Sequence, residues 1–376
     1  MGLKAQNLKT MKKILFSFLL VLAGCSLQIQ EDHPWTAFYN EDSTLIGFRD
    51  RGGRTRIEPR YSSFTTARKF EQIMAVMEQN HSEQEPCYLT KSGKIVGNGN
   101  VYIFDNAPDC ESEGFIRFRD KGTAKVGMYN GRGEIVIPAE YDDLTNVRNG
   151  LVVALKGAVK EYWNGDKDSG CEHFSWKGGR ESLLNTKNKI IVDDFKYDAN
   201  LDFFSLKISA GPVQEADRDN FPGLDGRYYA FLNYRREFQG WLKSAILSSF
   251  SREKLIEGSY REIYFWKEPD GWTSEDGRIF IEKNYEQIKN ALMELTREKA
   301  DYFISIDGLN PFIYNAAEFE KYFDNCGKAK EWQYPVMSLV INRRIQGESH
   351  QDQFDFLRTE RGYKLISVTL QNGIFH

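Results

Sequence analysis

Gly127-Met128-Tyr129-Asn130-Gly131-Arg132-Gly133-Glu134-Ile135-Val136-Ile137-Pro138-Ala139-Glu140-Tyr141 is the stretch on which the fold turns. Asn130 and Gly133 tolerate positive φ, so the middle of the stretch reads as a hairpin turn. Ile135, Val136 and Ile137 supply a β-branched return strand, and Pro138 interrupts the ladder because it has no N–H to donate. Tyr141 then offers a ring whose apolar body can pack on a neighbouring unit. Eighty residues earlier the same order recurs as Gly47-Phe48-Arg49-Asp50-Arg51-Gly52-Gly53-Arg54-Thr55-Arg56-Ile57-Glu58-Pro59-Arg60-Tyr61. Gly93, in Thr90-Lys91-Ser92-Gly93-Lys94-Ile95-Val96, falls midway, so glycines 53, 93 and 133 stand 40 residues apart. Asn185-Thr186-Lys187-Asn188-Lys189-Ile190-Ile191-Val192 is a degraded fourth copy. A lone hairpin cannot bury its apolar face in water, so such units must stack. The expectation is a β-rich hairpin-repeat array over residues 35–200.

The pattern running from Lys125-Val126-Gly127 to Tyr141-Asp142-Asp143 resembles the WG-repeat family. Gly114-Phe115-Ile116-Arg117-Phe118 before it and Gly150-Leu151-Val152-Val153-Ala154 after it are similar to that family's Gly-Leu-Ala strand. The likeness extends roughly over residues 35–197. It departs at the namesake position, where Ile46-Gly47 and Val126-Gly127 stand in place of Trp-Gly. The resemblance implies interaction through repeats and carries no catalytic residues.

From about Leu201 the rhythm stops, and Gly211-Pro212, Phe221-Pro222-Gly223 and Asp225-Gly226 mark a junction over 201–226. Beyond it, residues 227–376 read as a smaller α+β domain with an antiparallel sheet. Phe238, Trp241, Leu242, Ala245 and Ile246 lie at helical spacing, as do Tyr285, Ile288, Leu292 and Leu295, with Asn284 in position to cap the second helix. Residues 261–266 and 278–281 read as strands, 316–323 as a further helix, and the rest as closing strands. The last hairpin, Asp355-Phe356-Leu357-Arg358-Thr359-Glu360-Arg361-Gly362-Tyr363-Lys364-Leu365-Ile366-Ser367-Val368, resembles the end of NTF2-like cone folds. That resemblance implies a pocket between helices and sheet.

The amino terminus speaks to location. Met11-Lys12-Lys13 is followed by an apolar run from Ile14 to Leu22 and then Ala23-Gly24-Cys25, the three regions of an export signal over residues 1–24 with Met11 as the better start. The run is shorter than the roughly 20 residues a bilayer core needs. Leu22-Ala23-Gly24-Cys25 resembles the lipobox of bacterial lipoproteins, which implies lipidation (palmitate among the acyl chains) at Cys25 and a tether over 25–34. Several chains at about 0.8 kcal/mol per buried CH₂ make such a tether effectively permanent. Ser26, where Asp would imply retention at the inner membrane, points to the periplasmic face of the outer membrane.

In an oxidising periplasm the remaining Cys87, Cys110, Cys171 and Cys326 are disulfide candidates, with Cys87–Cys110 preferred because both flank one repeat. No Cys-x-x-Cys or His spacing calls for zinc, and Asp166-Lys167-Asp168-Ser169-Gly170 lacks the Glu that would close a calcium loop, so no metal or cofactor is expected. Fifty Lys and Arg against 54 Asp and Glu leave no concentrated positive charge for nucleic acid. No nucleophile elbow, zinc-binding helix or phosphate loop occurs, and Asp193-Asp194 would point to opposite faces of a strand. These features predict a lipid-anchored, non-enzymatic envelope protein whose partners are the membrane and an envelope protein or cell-wall component. A periplasmic immunity or inhibitor lipoprotein, and a hydrolase in the second half, are the alternatives.

Overall fold

Each repeat turn is built from the same two devices. In the computed structural model, which describes residues 33–79, 85–163, 173–267, 269, 271–345 and 348–370, Val126–Asn130 pairs antiparallel with Ile135–Tyr141. Asn130 Oδ1 accepts from the backbone N–H groups of Arg132 at 2.9 Å and Glu134 at 3.1 Å, and Gly133 takes a φ of +67°. Asp50 does the same for Gly52 and Arg54, both at 3.0 Å, ahead of Gly53 at +79°. Thr90 Oγ1 accepts from Lys94 N ahead of Gly93, and Asn185 Oδ1 accepts from Lys187 and Lys189, with Asn188 holding the left-handed position that glycine fills elsewhere. Short polar side chains that cap the turn and residues that accept positive φ explain why these segments fold back.

The four turns lie one in each of four sheets, and the sheets stack. One face of Ile73–Val76 gives Met74 and Val76 to a cluster with Phe48, Tyr61 and Phe70 of the sheet before it. Its other face gives Ile73 and Ala75 to a cluster with Ile116, Phe118 and Tyr129 of the sheet after it. Alternation repeats this downstream: Val152 and Ala154 meet Val126, Met128 and Ile137, while Leu151 and Val153 meet Leu201, Phe203 and Phe231. Interior sheets are therefore buried on both faces, which is how short strands reach an adequate core. Tyr61 and Tyr141 both lie buried in these inter-sheet layers, and Tyr141 Oη donates to Asn188 Oδ1 of the following turn at 2.9 Å. Pro138 sits inside Ile135–Tyr141, in the stretch where the register with the partner strand shifts.

Five expectations about the second half are corrected. The 201–226 stretch is strand rather than junction: Leu201–Ser209, Tyr228–Asn233 and Arg218–Pro222 form a sheet that closes the stack. Residues 278–281 open a helix, Gly277–Met293, because Asp276 Oδ1 accepts from Arg278 N and Ile279 N and so caps its first turn. Asn284, expected to cap, is buried mid-helix and donates its Nδ2 to Phe280 O at 2.9 Å. The six-stranded sheet runs Gly271–Asp276, Ser259–Lys267, Gly362–Leu370, Glu348–Thr359, Val336–Ile345, Tyr302–Asp307, and it is mixed rather than antiparallel, since Ser259–Lys267 lies parallel to Gly362–Leu370. The 316–323 segment is a 3₁₀ turn, Ala317–Tyr322.

Helices Tyr234–Trp241 and Gly277–Met293 cover one face of this sheet, with Phe238, Phe280, Ile288 and Leu292 against Met337, Phe354 and Val368. The long connection 308–335 covers the other with Leu309, Tyr314, Phe319 and Tyr322. Pro34–His376 forms one compact unit. Arg358 joins its halves, pairing with Asp202 at 2.9 Å and Glu237 at 3.0 Å, and Asp202 is only 2 % exposed. Cys110 is bonded to Cys326, not to Cys87, whose half-buried thiol is free. Cys87 lies in a strand paired with Ile73–Val76, whereas the Cys110 loop faces the 308–335 connection, so closeness in sequence misjudged the pairing. The residue before Cys326, Asn325, accepts through its backbone carbonyl from Arg68 N and Lys69 N, which fixes the same contact. Cys25, Cys171, the export signal and the 166–170 loop lie outside the described residues.

Candidate functional site

The six-stranded sheet carries a polar row across its middle. Cross-strand register aligns Ser305 with Ser338, Ser338 with Asp355, Asp355 with Ser367, Ser367 with Tyr264, and Tyr264 with Ser274. All these side chains fall on the face under the 308–335 connection, because the neighbours that alternate with them, such as Leu339, Phe354, Phe356 and Phe265, point into the helix-covered core. Between that face and the connection lies a cavity of about 580 Å³.

Asp355 forms its polar floor. Ser338 Oγ donates to Asp355 Oδ1 at 2.7 Å and Gln353 Nε2 donates to the same oxygen at 2.9 Å, and the Ser367 hydroxyl also bonds the carboxylate. Burial pushes the Asp355 carboxyl above its ordinary value, and the nearby negative Asp307 adds to the rise against the lowering by these hydrogen bonds. Asp307 lines the cavity and accepts from Ser305 Oγ at 2.8 Å. Tyr314 from the connection stands over the floor, edge to face with Tyr264 at 4.6 Å, and burial beside Asp355 raises its hydroxyl well beyond the ordinary phenol range. Trp266 and Trp272, paired across their strands with ring centres 5.9 Å apart, are 45 % and 46 % exposed and mark the open side. Such a site can hold a small molecule through one orienting carboxylate and several aromatic walls.

A second, apolar hollow of about 470 Å³ lies on the helix side, where Leu242 and Leu247 of a π-helical turn face Leu295, Tyr302 and Ile304.

Sequence reading gave no role to any residue of the 580 Å³ cavity, although Asp355, Ile366 and Ser367 stand in the closing hairpin, and the pocket that the hairpin's resemblance implied is on the helix side, whereas this cavity lies on the opposite face of the sheet. The residues it singled out, Gly47, Gly53, Gly93, Gly127, Gly133, Pro138, Tyr61 and Tyr141, lie in the stack and shape it. Gly47 and Gly127 do so by close approach: a Cβ on Gly127 would meet the Phe118 ring at 2.6 Å and the Ile137 carbonyl oxygen at 2.7 Å, and one on Gly47 the Ile57 carbonyl oxygen at 2.6 Å. Asp193 and Asp194 are engaged with Arg180 and Lys196 near the surface. A signal for the cavity did exist, since Ser305, Ser338, Asp355 and Ser367 each stand as one polar residue between two apolar neighbours in their strands.

Compared with curated proteins and with solved structures, the chain matches none. Residues 127–158, which hold the Asn130 turn, the Ile135–Tyr141 return strand and the start of the next sheet, match the family described as WG containing repeat, so a WG-repeat element lies at the centre of the stack.

Proposed function

We propose that this chain is an envelope lipoprotein, held through acyl chains on Cys25, that binds a small molecule without transforming it. The stack of WG-type sheets acts as the support, and the second half acts as the receptor. The order of elements in that half supports an NTF2-like reading: two helical segments, a hairpin, a long helix and four strands, with the first strand running parallel beside the last. The observation that carries binding is the fixed carboxylate of Asp355, held by neutral donors at the floor of a roomy aromatic cavity. The polar groups beside it are serines, an amide and a second carboxylate, which suit holding a ligand better than passing protons to it. In this reading the partner of the tether is the membrane, and the receptor face is turned to an envelope or cell-wall component.

Two measurements test it. Labelled palmitate is expected in the wild-type protein and absent from Cys25→Ser, which should leave the outer-membrane fraction; unchanged fractionation of that variant would refute the tether. Envelope small molecules that raise the melting temperature of the purified full chain are expected to be recovered intact after incubation, and product formation would refute the non-enzymatic reading.

A further inference from the structure

The charge of the cavity is unbalanced. Asp355 and Asp307 both line it, and among the described residues no Lys, Arg or His lines it. Several basic groups on the neighbouring elements are engaged elsewhere. Arg358 is held by Asp202 and Glu237, Arg343 by Asp352, Lys321 by Glu360, and Lys364 by the Glu257 carbonyl. Ser338, Gln353 and Ser367 give Asp355 hydrogen bonds but no positive charge. A desolvated carboxylate without a counter-ion is costly, and a bound cation removes that cost.

The walls decide which kind of cation. Trp266, Trp272 and Tyr314 present aromatic rings, and Leu309, Ile313 and Ile366 add apolar surface. Aromatic faces attract organic ammonium groups through the negative charge of the ring face. A bare divalent ion instead wants six or more oxygen ligands converging at about 2.0–2.6 Å. The cavity volume of about 580 Å³ accommodates a whole small molecule rather than a single ion.

We propose that the cavity over the polar row is a receptor for a small organic cation, an ammonium-bearing molecule whose charge sits at Asp355 and Asp307 and whose apolar or ring portion lies against Trp266, Trp272 and Tyr314. The proposal rests on the binding reading above only in placing the ligand in this cavity, and it is independent of the tether.

The test uses the purified full chain in detergent and isothermal titration with matched probes. Choline is compared with 3,3-dimethyl-1-butanol, its neutral isostere, and glucosamine with N-acetylglucosamine. At least one charged probe is expected to bind at least tenfold more tightly than its neutral twin, and Asp355→Asn is expected to weaken that probe at least tenfold without altering the neutral one. Asp194→Asn, which removes an exposed carboxylate outside the cavity, should change nothing, and a cooperative melting transition in each variant, no lower than that of the wild type, would show that both fold. Neutral probes binding as well as charged ones, with Asp355→Asn silent, would overturn the cationic assignment and leave binding in the cavity standing. Calcium alone binding there while both amines are excluded would overturn it in favour of a metal, and failure of all four probes to bind would overturn it together with the receptor reading.

Discussion

Glu111 is 6 % exposed, and its Oε2 accepts from Gln72 N and Ile73 N at 3.0 and 3.1 Å while its Oε1 has no hydrogen-bond partner. Burial pushes its carboxyl up to about 7. A carboxyl that holds its proton more tightly folded than unfolded loses stability as pH rises from the unfolded value, near 4.5, through 7, and the loss is complete above that. The cost amounts to about 3 kcal/mol at most. Urea unfolding of the wild type should therefore show a falling contribution between pH 4.5 and 7 that Glu111→Gln abolishes; parallel pH profiles would count against it. Asp355 follows the same sign. Its folded carboxyl is raised, so Asp355→Asn should match or exceed the wild type in stability at pH 7 and lose any advantage below pH 4, even as it loses amine binding. The groups facing Asp355 are Asp307, Gln353, Ser338, Ser367, Tyr264 and Tyr314, of which only Asp307 is a second carboxyl group. Neither carboxylate was legible beforehand. A buried acid looks like a surface acid until the strand register is known, and only the pattern of one polar residue amid apolar neighbours distinguishes Asp355.

At the scale of the element, the turns were the most legible part of the chain, because their chemistry is local. Asn130, Asp50 and the glycines that follow them act within five residues of sequence. Two glycines there serve different ends and should respond differently. Gly53 has a φ of +79° with open space around it, so Gly53→Ala should cost only the backbone strain, about 1 kcal/mol. Gly127 has ordinary dihedrals but is pressed between the Phe118 ring and the Ile137 carbonyl, so Gly127→Ala should cost about 3 kcal/mol through overpacking. Chemical denaturation of both variants checks the order, and equal losses would show that close approach is not what the position requires. The misread helix start had the same local origin. Asp276-Gly277 ends a strand and caps a helix at once, and the β-branched Ile279 and Ile281 that follow were taken for strand because a short apolar run does not reveal its period.

At the scale of the whole molecule, the halves are held by contacts that cross long stretches of sequence, which is why the pairing of cysteines escaped reading. The Cys110–Cys326 bridge closes a loop of 216 residues. On the chain-entropy model its loss removes about 5 kcal/mol. Cys326→Ser, or reduction of the wild type, should lower the urea midpoint accordingly, with little change in the Cys87→Ser variant. Arg358→Ala leaves Asp202 without its guanidinium and should cost about 3–5 kcal/mol. A smaller loss there would mean that water reaches the Asp202 carboxylate. The stacking of sheets on both faces was implied by the repeat, since a hairpin must find neighbours. That the 201–233 strands would close the stack was not, because Gly211-Pro212 and Phe221-Pro222-Gly223 look like loop, whereas Gly211-Pro212 is the bend between two strands and Phe221 and Pro222 end the strand Arg218–Pro222.

The same bridge bears on how a guest molecule would come and go. The 308–335 segment roofs the chamber from above, and Cys326 and Asn325 staple that roof to the opposite half of the protein. With the roof pinned at that point, the half-exposed indoles at the open side are where a guest is expected to pass, and exchange should then keep pace with the turning of those rings.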